Sequence, residues 1–130
     1  MQRLVIVLSV LGLLLVSACS AGPAITIENS NGRRIGEIRI EGTQAILLNS
    51  VGEERGRVRG TMIRDADGKR AGSLAEQEGN LVILDINDSP VGSLEEGVEC
   101  YGKGQDMLGK VTAPVDSHVA AAACLLFFLQ

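Results

Sequence analysis

From residue 25 onward, apolar and polar residues alternate in short runs, and glycine or Asn/Asp clusters separate these runs. In the segment GEIRIE, residues 36 to 41, Ile38 and Ile40 fall on one face and the charged residues fall on the other. Alternation with a period of two is typical of a half-buried β-strand. Short strands joined by glycine-containing turns therefore predict an all-β domain.

The runs recur as five units that align on five glycines. An aliphatic residue stands two positions after each glycine, and an apolar residue or cysteine stands nine positions before it. Each unit is predicted to be a β-hairpin, because Asn31-Gly32 and Asp67-Gly68 are strong turn signals. A glycine inside a strand usually marks a bulge or the close approach of another backbone. The anchoring glycines are Gly36, Gly56, Gly72, Gly92 and Gly109.

The five predicted hairpins must share one core, since a single hairpin is only marginally stable in water. They could form a small ring or a linear roll. The C-terminal segment from Val119 to Leu129 carries no charge and is too short for a membrane helix. We expect it to form a last buried apolar strand that closes the ring. A docked C-terminal helix and a membrane contact are the alternatives.

The first 19 residues have the layout of an export signal. Arg3 precedes an uncharged apolar stretch, and small residues follow it, as in secretory signal peptides. The motif Val16-Ser17-Ala18-Cys19 resembles the lipobox of bacterial lipoproteins. That resemblance implies cleavage before Cys19 and lipidation of its thiol, and two or more acyl chains make a stable anchor.

The expected cleavage site divides the chain into a signal peptide over residues 1–18, a lipidated tether over 19–24 and a β-hairpin domain over 25–130. Ser20 follows the lipidated cysteine, where enterobacterial lipoproteins retained in the inner membrane carry aspartate. The resemblance therefore implies the cell envelope as the location and, in a Gram-negative host, the outer membrane on its periplasmic side.

The exported leader, the glycine-anchored hairpins and the Ala-rich apolar terminus together resemble the small bacterial proteins described as five-fold β-flowers. The resemblance covers residues 25 to 130 and implies a ring-like shape, but it brings no activity with it. The fifth unit departs from the pattern, since Gln105 stands where the other units have Gly or Asp.

The composition argues against nucleic-acid binding. The chain has a formal net charge of -4 and contains one tyrosine, two phenylalanines and no tryptophan. A nucleic-acid binder would present a basic face with aromatic platforms. The charge is unevenly divided, with most basic residues before residue 71 and an acidic second half. Arg55, Arg57 and Arg59 alternate and are expected to share one strand face, where they could meet an anionic partner or neighbouring glutamates.

No catalytic, metal or cofactor site is predicted. The segment Asp116-Ser117-His118 contains the only histidine and is expected to be a solvated loop that leads into the last strand. The segment from Asp65 to Gly68 (DADG) resembles the start of a calcium loop but lacks the later ligands, so a turn is expected.

Two thiols remain in the mature chain, at Cys100 and Cys124. Disulfides persist outside the cytoplasm, so these cysteines could form a bridge, or they could remain as two buried thiols.

We therefore expect a membrane-anchored, non-catalytic structural or interaction module, which could contact an envelope protein or a second copy of itself. The alternative is a small-molecule-binding or hydrolytic protein that uses a cavity in the β ring.

Overall fold

The computed structural model describes residues 24–130, and the predicted signal and lipidation residues Val16, Ser17, Ala18 and Cys19 lie outside this range. Ten strands and one helix make up the described chain. The strands are β1 (Ile25–Asn29), β2 (Arg34–Glu41), β3 (Gln44–Asn49), β4 (Glu54–Arg59), β5 (Met62–Asp65), β6 (Arg70–Gln77), β7 (Asn80–Asp85), β8 (Pro90–Glu95), β9 (Glu99–Gly102) and β10 (Met107–Val111), and the helix is α1 (Ser117–Phe128).

The ten strands form one closed antiparallel barrel in which each strand pairs with its neighbours in the chain. The first and last strands complete the ring, with Ile27 opposite Val111. The expectation of an all-β domain is confirmed, and of the two arrangements left open by the sequence, the chain adopts the closed ring rather than the roll. Closure leaves no strand edge for pairing with another chain.

The prediction of a C-terminal apolar strand is wrong, because this segment forms α1. The helix is buried from Ala120 to Leu126 and packs against strands on several sides of the barrel. A barrel of about eight strands is just filled by its own side chains, so ten strands leave room for a slim element in the middle. Four consecutive alanines, from Ala120 to Ala123, make α1 slim at that level and also favour the helical state.

The barrel core consists of inward-facing aliphatic side chains that surround the helix. Ile27, Leu47, Ile63 and Ile83 each have no exposed surface, and Cys100 is 2% exposed. These five residues belong to the odd-numbered strands, and their neighbours on the even-numbered strands include Ile38, Val58 and Leu94. No buried side chain in residues 24–130 is polar or charged, so the core is held by apolar packing.

The five anchoring glycines lie on the even-numbered strands and contact the C-terminal end of α1. A Cβ atom on Gly36 would lie 2.7 Å from Cε2 of Phe127, and one on Gly92 would lie 2.8 Å from Cδ1 of Leu129. Each glycine meets a different side chain from five consecutive residues. The pairs are Gly36 with Phe127, Gly56 with Leu126, Gly72 with Leu125, Gly92 with Leu129 and Gly109 with Phe128.

A β-bulge precedes each anchoring glycine. In β2, Gly36 pairs with Ile27 but Arg34 pairs with the next residue, Glu28, so Ile35 has no partner in the register. Such an extra residue bends and twists its strand. The residues in this position are Ile35, Arg55, Ala71, Val91 and Leu108.

Four of the five loops beside the glycine layer are held by Asn or Asp side chains. Oδ1 of Asn29 accepts hydrogen bonds from the backbone N–H groups of Asn31 and Arg33, both at 3.0 Å. Gly32 has a positive φ but Asn31 does not, so this is not the two-residue turn expected from Asn-Gly. It is a longer loop with a single left-handed residue, which the Asn29 side chain stabilises.

Replacing Gly72 with alanine should destabilise the barrel. The added Cβ would meet the carbonyl oxygen of Leu84 and would lie 2.6 Å from Cδ2 of Leu125. Overpacking of this kind lowers the free energy of unfolding by about 1–3 kcal/mol, which urea titration followed by circular dichroism would measure.

Gly104 supplies the matched control for this experiment. A Cβ there would lie 3.8 Å from Asp106 Oδ2, an ordinary contact, so Gly104→Ala should stay within about 1 kcal/mol of the wild type. Equal urea midpoints for the two variants would contradict the packing account.

Candidate functional site

The expected stripe of Arg55, Arg57 and Arg59 on one strand face is wrong. Arg55 is the bulge residue of β4, since Leu47 pairs with Gly56 while Leu48 pairs with Glu54. The bulge takes Arg55 out of the alternation, and only Arg57 and Arg59 remain together on the outer wall of the barrel.

Arg55 instead reaches the C-terminal end of α1. Its Nη2 donates a hydrogen bond of 2.7 Å to the carbonyl oxygen of Leu126. Its guanidinium carbon lies 5.2 Å from the centre of the Phe127 ring, within cation–π range. The last turn of α1 contains no basic residue of its own, so Arg55 supplies the positive charge that a helix C-terminus favours.

Arg64 joins Arg57 and Arg59 on the outer wall, where β4 and β5 pair. Arg57 and Arg64 are direct cross-strand partners, an arrangement in which like charges destabilise a sheet. We call Arg57, Arg59 and Arg64 the arginine face. Together with Gln44 and Met62, these residues line a shallow groove of about 440 Å³.

Local contacts partly neutralise the arginine face. Nε of Arg57 lies 2.9 Å from Oε2 of Glu54. This charged hydrogen bond lowers the pKa of Glu54 and raises that of Arg57. Nη1 of Arg64 donates to the Gly68 carbonyl at 2.9 Å. Within residues 24–130, the Arg59 guanidinium forms neither an ion pair nor a side-chain hydrogen bond.

An acidic counterpart lies on β8 and β9, where Glu95 and Glu99 are also direct cross-strand partners. Tyr101 lies beside them, and its hydroxyl donates to Oε1 of Glu99 at 3.3 Å. Partial burial and the adjacent carboxylate of Glu99 raise the pKa of Tyr101. We call Glu95, Glu99 and Tyr101 the acidic face. A groove of about 370 Å³ runs along Glu95 and Tyr101 of this face and is also lined by Ser93 and Gln105.

A third groove, of about 530 Å³, opens at the end of the barrel where α1 begins. We call this end the mouth. Ile25, the first residue of β1, lines the groove together with Ile40, Thr61, Val119 and His118. The side chain of Ile40 points inward as expected, but 54% of it is exposed because it lies at this open end.

The segment Asp116-Ser117-His118 does not form the predicted loop into a strand but begins α1. Oδ1 of Asp116 accepts the backbone N–H of His118 at 2.8 Å and so caps the helix. The Nδ1 atom of His118 lies 3.2 Å from the same oxygen. Among the described residues Ser117 forms no hydrogen bond to His118, the contact that an activated serine nucleophile needs.

The DADG segment is a turn, as predicted. Oδ1 of Asp65 accepts the backbone N–H groups of Asp67 and Lys69 at 2.9 and 3.0 Å. This carboxylate therefore holds the loop, in the same way as Asn29. No group of three or more His, Cys, Asp or Glu side chains within residues 24–130 is arranged to hold a metal ion.

Cys100 on β9 and Cys124 on α1 face each other inside the barrel. Their sulfur atoms lie at bonding distance and their Cα atoms are 5.6 Å apart, which is within the range found for disulfides. Both residues are at most 2% exposed. A bond at this place would link the helix to the barrel wall.

Comparisons of the chain with protein-family models, curated proteins and solved structures found no match. None of the helical segments within residues 24–130 is long and apolar enough to cross a membrane.

Replacing Arg55 with alanine should destabilise the barrel by about 1–2 kcal/mol, because the C-terminal carbonyls of α1 lose their cationic partner. Arg59→Ala removes the same charge from the same strand and should change stability by less than about 0.5 kcal/mol. Thermal unfolding followed by circular dichroism would compare the two variants. Equal losses of stability would show that the contacts of Arg55 with α1 do not stabilise the barrel.

The Cys100–Cys124 pair is predicted to form a disulfide when the protein folds under oxidising conditions. Alkylation without reductant should then leave both cysteines unmodified, as mass spectrometry would detect. Reduction should lower the free energy of unfolding by about 3 kcal/mol in the chain-entropy description. Full alkylation of both thiols without reductant would refute the bridge.

Proposed function

We propose that this chain is a bacterial envelope lipoprotein, anchored through a lipid on Cys19, whose barrel serves as a non-catalytic structural or interaction module. The lipobox residues Val16 to Cys19 support the anchor. The proposed location is the outer membrane, with the barrel facing the periplasm.

The observation that carries the non-catalytic part of the proposal is the filled interior of the barrel. Residues Ala120 to Leu126 of α1 occupy the space that an internal cavity would need, and all of them are buried. Ligand sites usually combine a concave apolar space with a few convergent polar groups. Within the described chain, the buried core contains no polar side chain, so the alternative of a ligand or hydrolytic site inside the ring has little support.

We further infer that the ten strands are five repeats of one glycine-anchored hairpin. Two recurring features support this. A bulge precedes each of the five glycines. In four of the five loops, an Asn or Asp side chain accepts two backbone N–H groups, and the acceptors are Asn29, Asn49, Asp65 and Asp85.

The mouth of the barrel is the proposed membrane-facing end. Ile25 begins β1 and lines the mouth groove, and Cys19 precedes it by six residues in the chain. Six extended residues reach at most about 20 Å. A lipid on Cys19 would therefore hold the mouth close to the bilayer and direct the loops beside the glycine layer away from it.

Metabolic labelling tests the anchor. Cells that produce the full chain with radiolabelled palmitate should yield a labelled protein in the membrane fraction, and Cys19→Ala should abolish the label because it removes the acylated thiol. Cys100→Ala, combined with Cys124→Ala, is the matched control and should keep the label. A labelled Cys19→Ala variant would disprove lipidation at this residue.

Ser20 allows a separate test of the membrane in which the protein resides. In an enterobacterial host, Ser20→Asp should move the lipoprotein to the inner membrane on a density gradient, whereas Ser20→Ala should leave it in the outer membrane. Identical distributions of the two variants would contradict the proposed sorting.

A further inference from the structure

Each of the two charged faces contains a pair of like charges on directly opposed residues. Glu54 binds the guanidinium of Arg57 through both carboxylate oxygens, but no ion pair within the described residues compensates Arg59 and Arg64 or the two glutamates. Arg57 lies opposite Arg64, and Glu95 lies opposite Glu99. Like charges on directly opposed residues destabilise a sheet. Lys110 pairs in register with Glu99, but no ion pair joins the two among the described residues.

The two faces look outward in different directions from the barrel. Two strands, β6 and β7, separate them on one side, and the remaining four separate them on the other. One barrel therefore cannot bring its own arginine face and acidic face together. A neighbouring barrel can, because its acidic face is free to meet the arginine face of the first.

The charges also stand at matching heights along the wall. Arg59 follows Gly56 by three residues, and Glu95 follows Gly92 by three, while both glycines contact the same end of α1. Arg57 stands one residue after Gly56, and Ser93 stands one residue after Gly92. Ser93 is the cross-strand partner of Tyr101. With two barrels side by side and pointing the same way, Arg59 stands level with the two glutamates and Arg57 with Tyr101.

From this geometry we propose that the barrel associates laterally with a second copy of itself, the arginine face of one copy against the acidic face of the next. Arginine and tyrosine are enriched in the energetically dominant parts of protein interfaces. Guanidinium groups can pair with carboxylates and stack on the tyrosine ring. The contact joins two different faces, so it leaves one arginine face and one acidic face open for further copies.

This inference extends the proposed interaction module by naming its partner, and it agrees with the proposed anchor. Barrels held to one membrane by their mouths all point the same way, which is the arrangement that aligns the charges. Contact between identical faces would bring arginine against arginine and is disfavoured by repulsion.

Charge reversal on each face tests the proposal. Two differently tagged copies of the full chain would be produced together, fixed with formaldehyde in envelope preparations at each salt concentration so that contacts made at the membrane survive, then solubilised with detergent and tested for co-purification. The wild-type copies should co-purify at about 0.1 M salt and separate at about 1 M, where the screening length falls to roughly 3 Å. Arg59→Glu with Arg64→Glu, or Glu95→Lys with Glu99→Lys, should each reduce co-purification at least about tenfold, because like charges then face each other.

The most informative experiment produces the two charge-reversed variants together in one cell. One variant has two acidic faces and the other has two basic faces, so their mixture restores opposite charges at every contact and should restore co-purification. This rescue also proves that both variants fold. Arg33→Glu with Arg34→Glu makes the same charge change beside the loop between β1 and β2, which β3 and β10 separate from the two faces, and should leave co-purification unchanged.

Several outcomes would overturn the proposal. Wild-type copies that never co-purify, or single-face variants that co-purify like the wild type, would refute it. It would also be refuted if the two charge-reversed variants fold but their mixture does not regain co-purification. If the arginine variant instead loses binding to vesicles containing anionic phospholipid while the wild type stays monomeric, the arginine face serves the membrane and self-association is wrong.

Palmitate labelling of the same samples separates this inference from the anchor. A labelled protein that does not co-purify refutes self-association alone. An unlabelled protein that does co-purify refutes the anchor and leaves the lateral contact standing.

Discussion

The contact between the C-terminal end of α1 and five strand glycines is the constraint on which this structure depends. Gly36, Gly56, Gly72, Gly92 and Gly109 each lie where a Cβ atom would collide with a helix side chain and a neighbouring backbone carbonyl. The large side chains of Leu125 to Leu129 can spread outward only at this level. Closer to the mouth the strands carry Ile, Leu and Val on their inner face, and there the helix must be slim, as Ala120 to Ala123 make it.

Because the helix fills the interior, only the outside of the barrel can recognise a partner. The interior is filled, and the closed ring has no free edge to which a partner strand could add. A partner that contacts residues 24–130 must therefore be recognised by side chains on the outer wall, the loops or the mouth. The two charged faces occupy that wall, while Arg55, which the sequence groups with the arginine face, serves the helix instead.

The sequence predicts the strands and the glycine layer well, because period-two alternation and the glycine spacing report directly on which residues face inward. It fails at the C-terminal segment for a physical reason. A helix enclosed on all sides by a barrel needs apolar residues all round, so it shows no amphipathic stripe and resembles a buried strand. The informative signals were four consecutive alanines, which are strong helix formers, and Asp116, a good N-cap residue just before the segment.

The arginine stripe fails for a different reason, since one bulge residue shifts the alternation and no local pattern reveals it. Comparing the five sequence units that align on the anchoring glycines shows that Arg55 differs from its counterparts. The residue before the anchoring glycine is apolar in four units, at Ile35, Ala71, Val91 and Leu108, and charged only at Arg55. A lone charge at an otherwise apolar position indicates a specific partner, here the carbonyl end of α1. Arg64 was missed because its relation to Arg57 depends on the register between β4 and β5.

Weak contacts between exposed charges could still assemble barrels at a membrane. In free solution, an exposed ion pair contributes only about 0.2–1 kcal/mol, which is small against the entropy lost on association. A lipid anchor of the proposed kind confines the barrels to one surface and one orientation, so part of that entropy is lost before they meet. Confinement raises the effective concentration in the way that linked binding sites do. The charged faces then need only to set the register between neighbours, a role that suits complementary charges better than it suits an apolar patch.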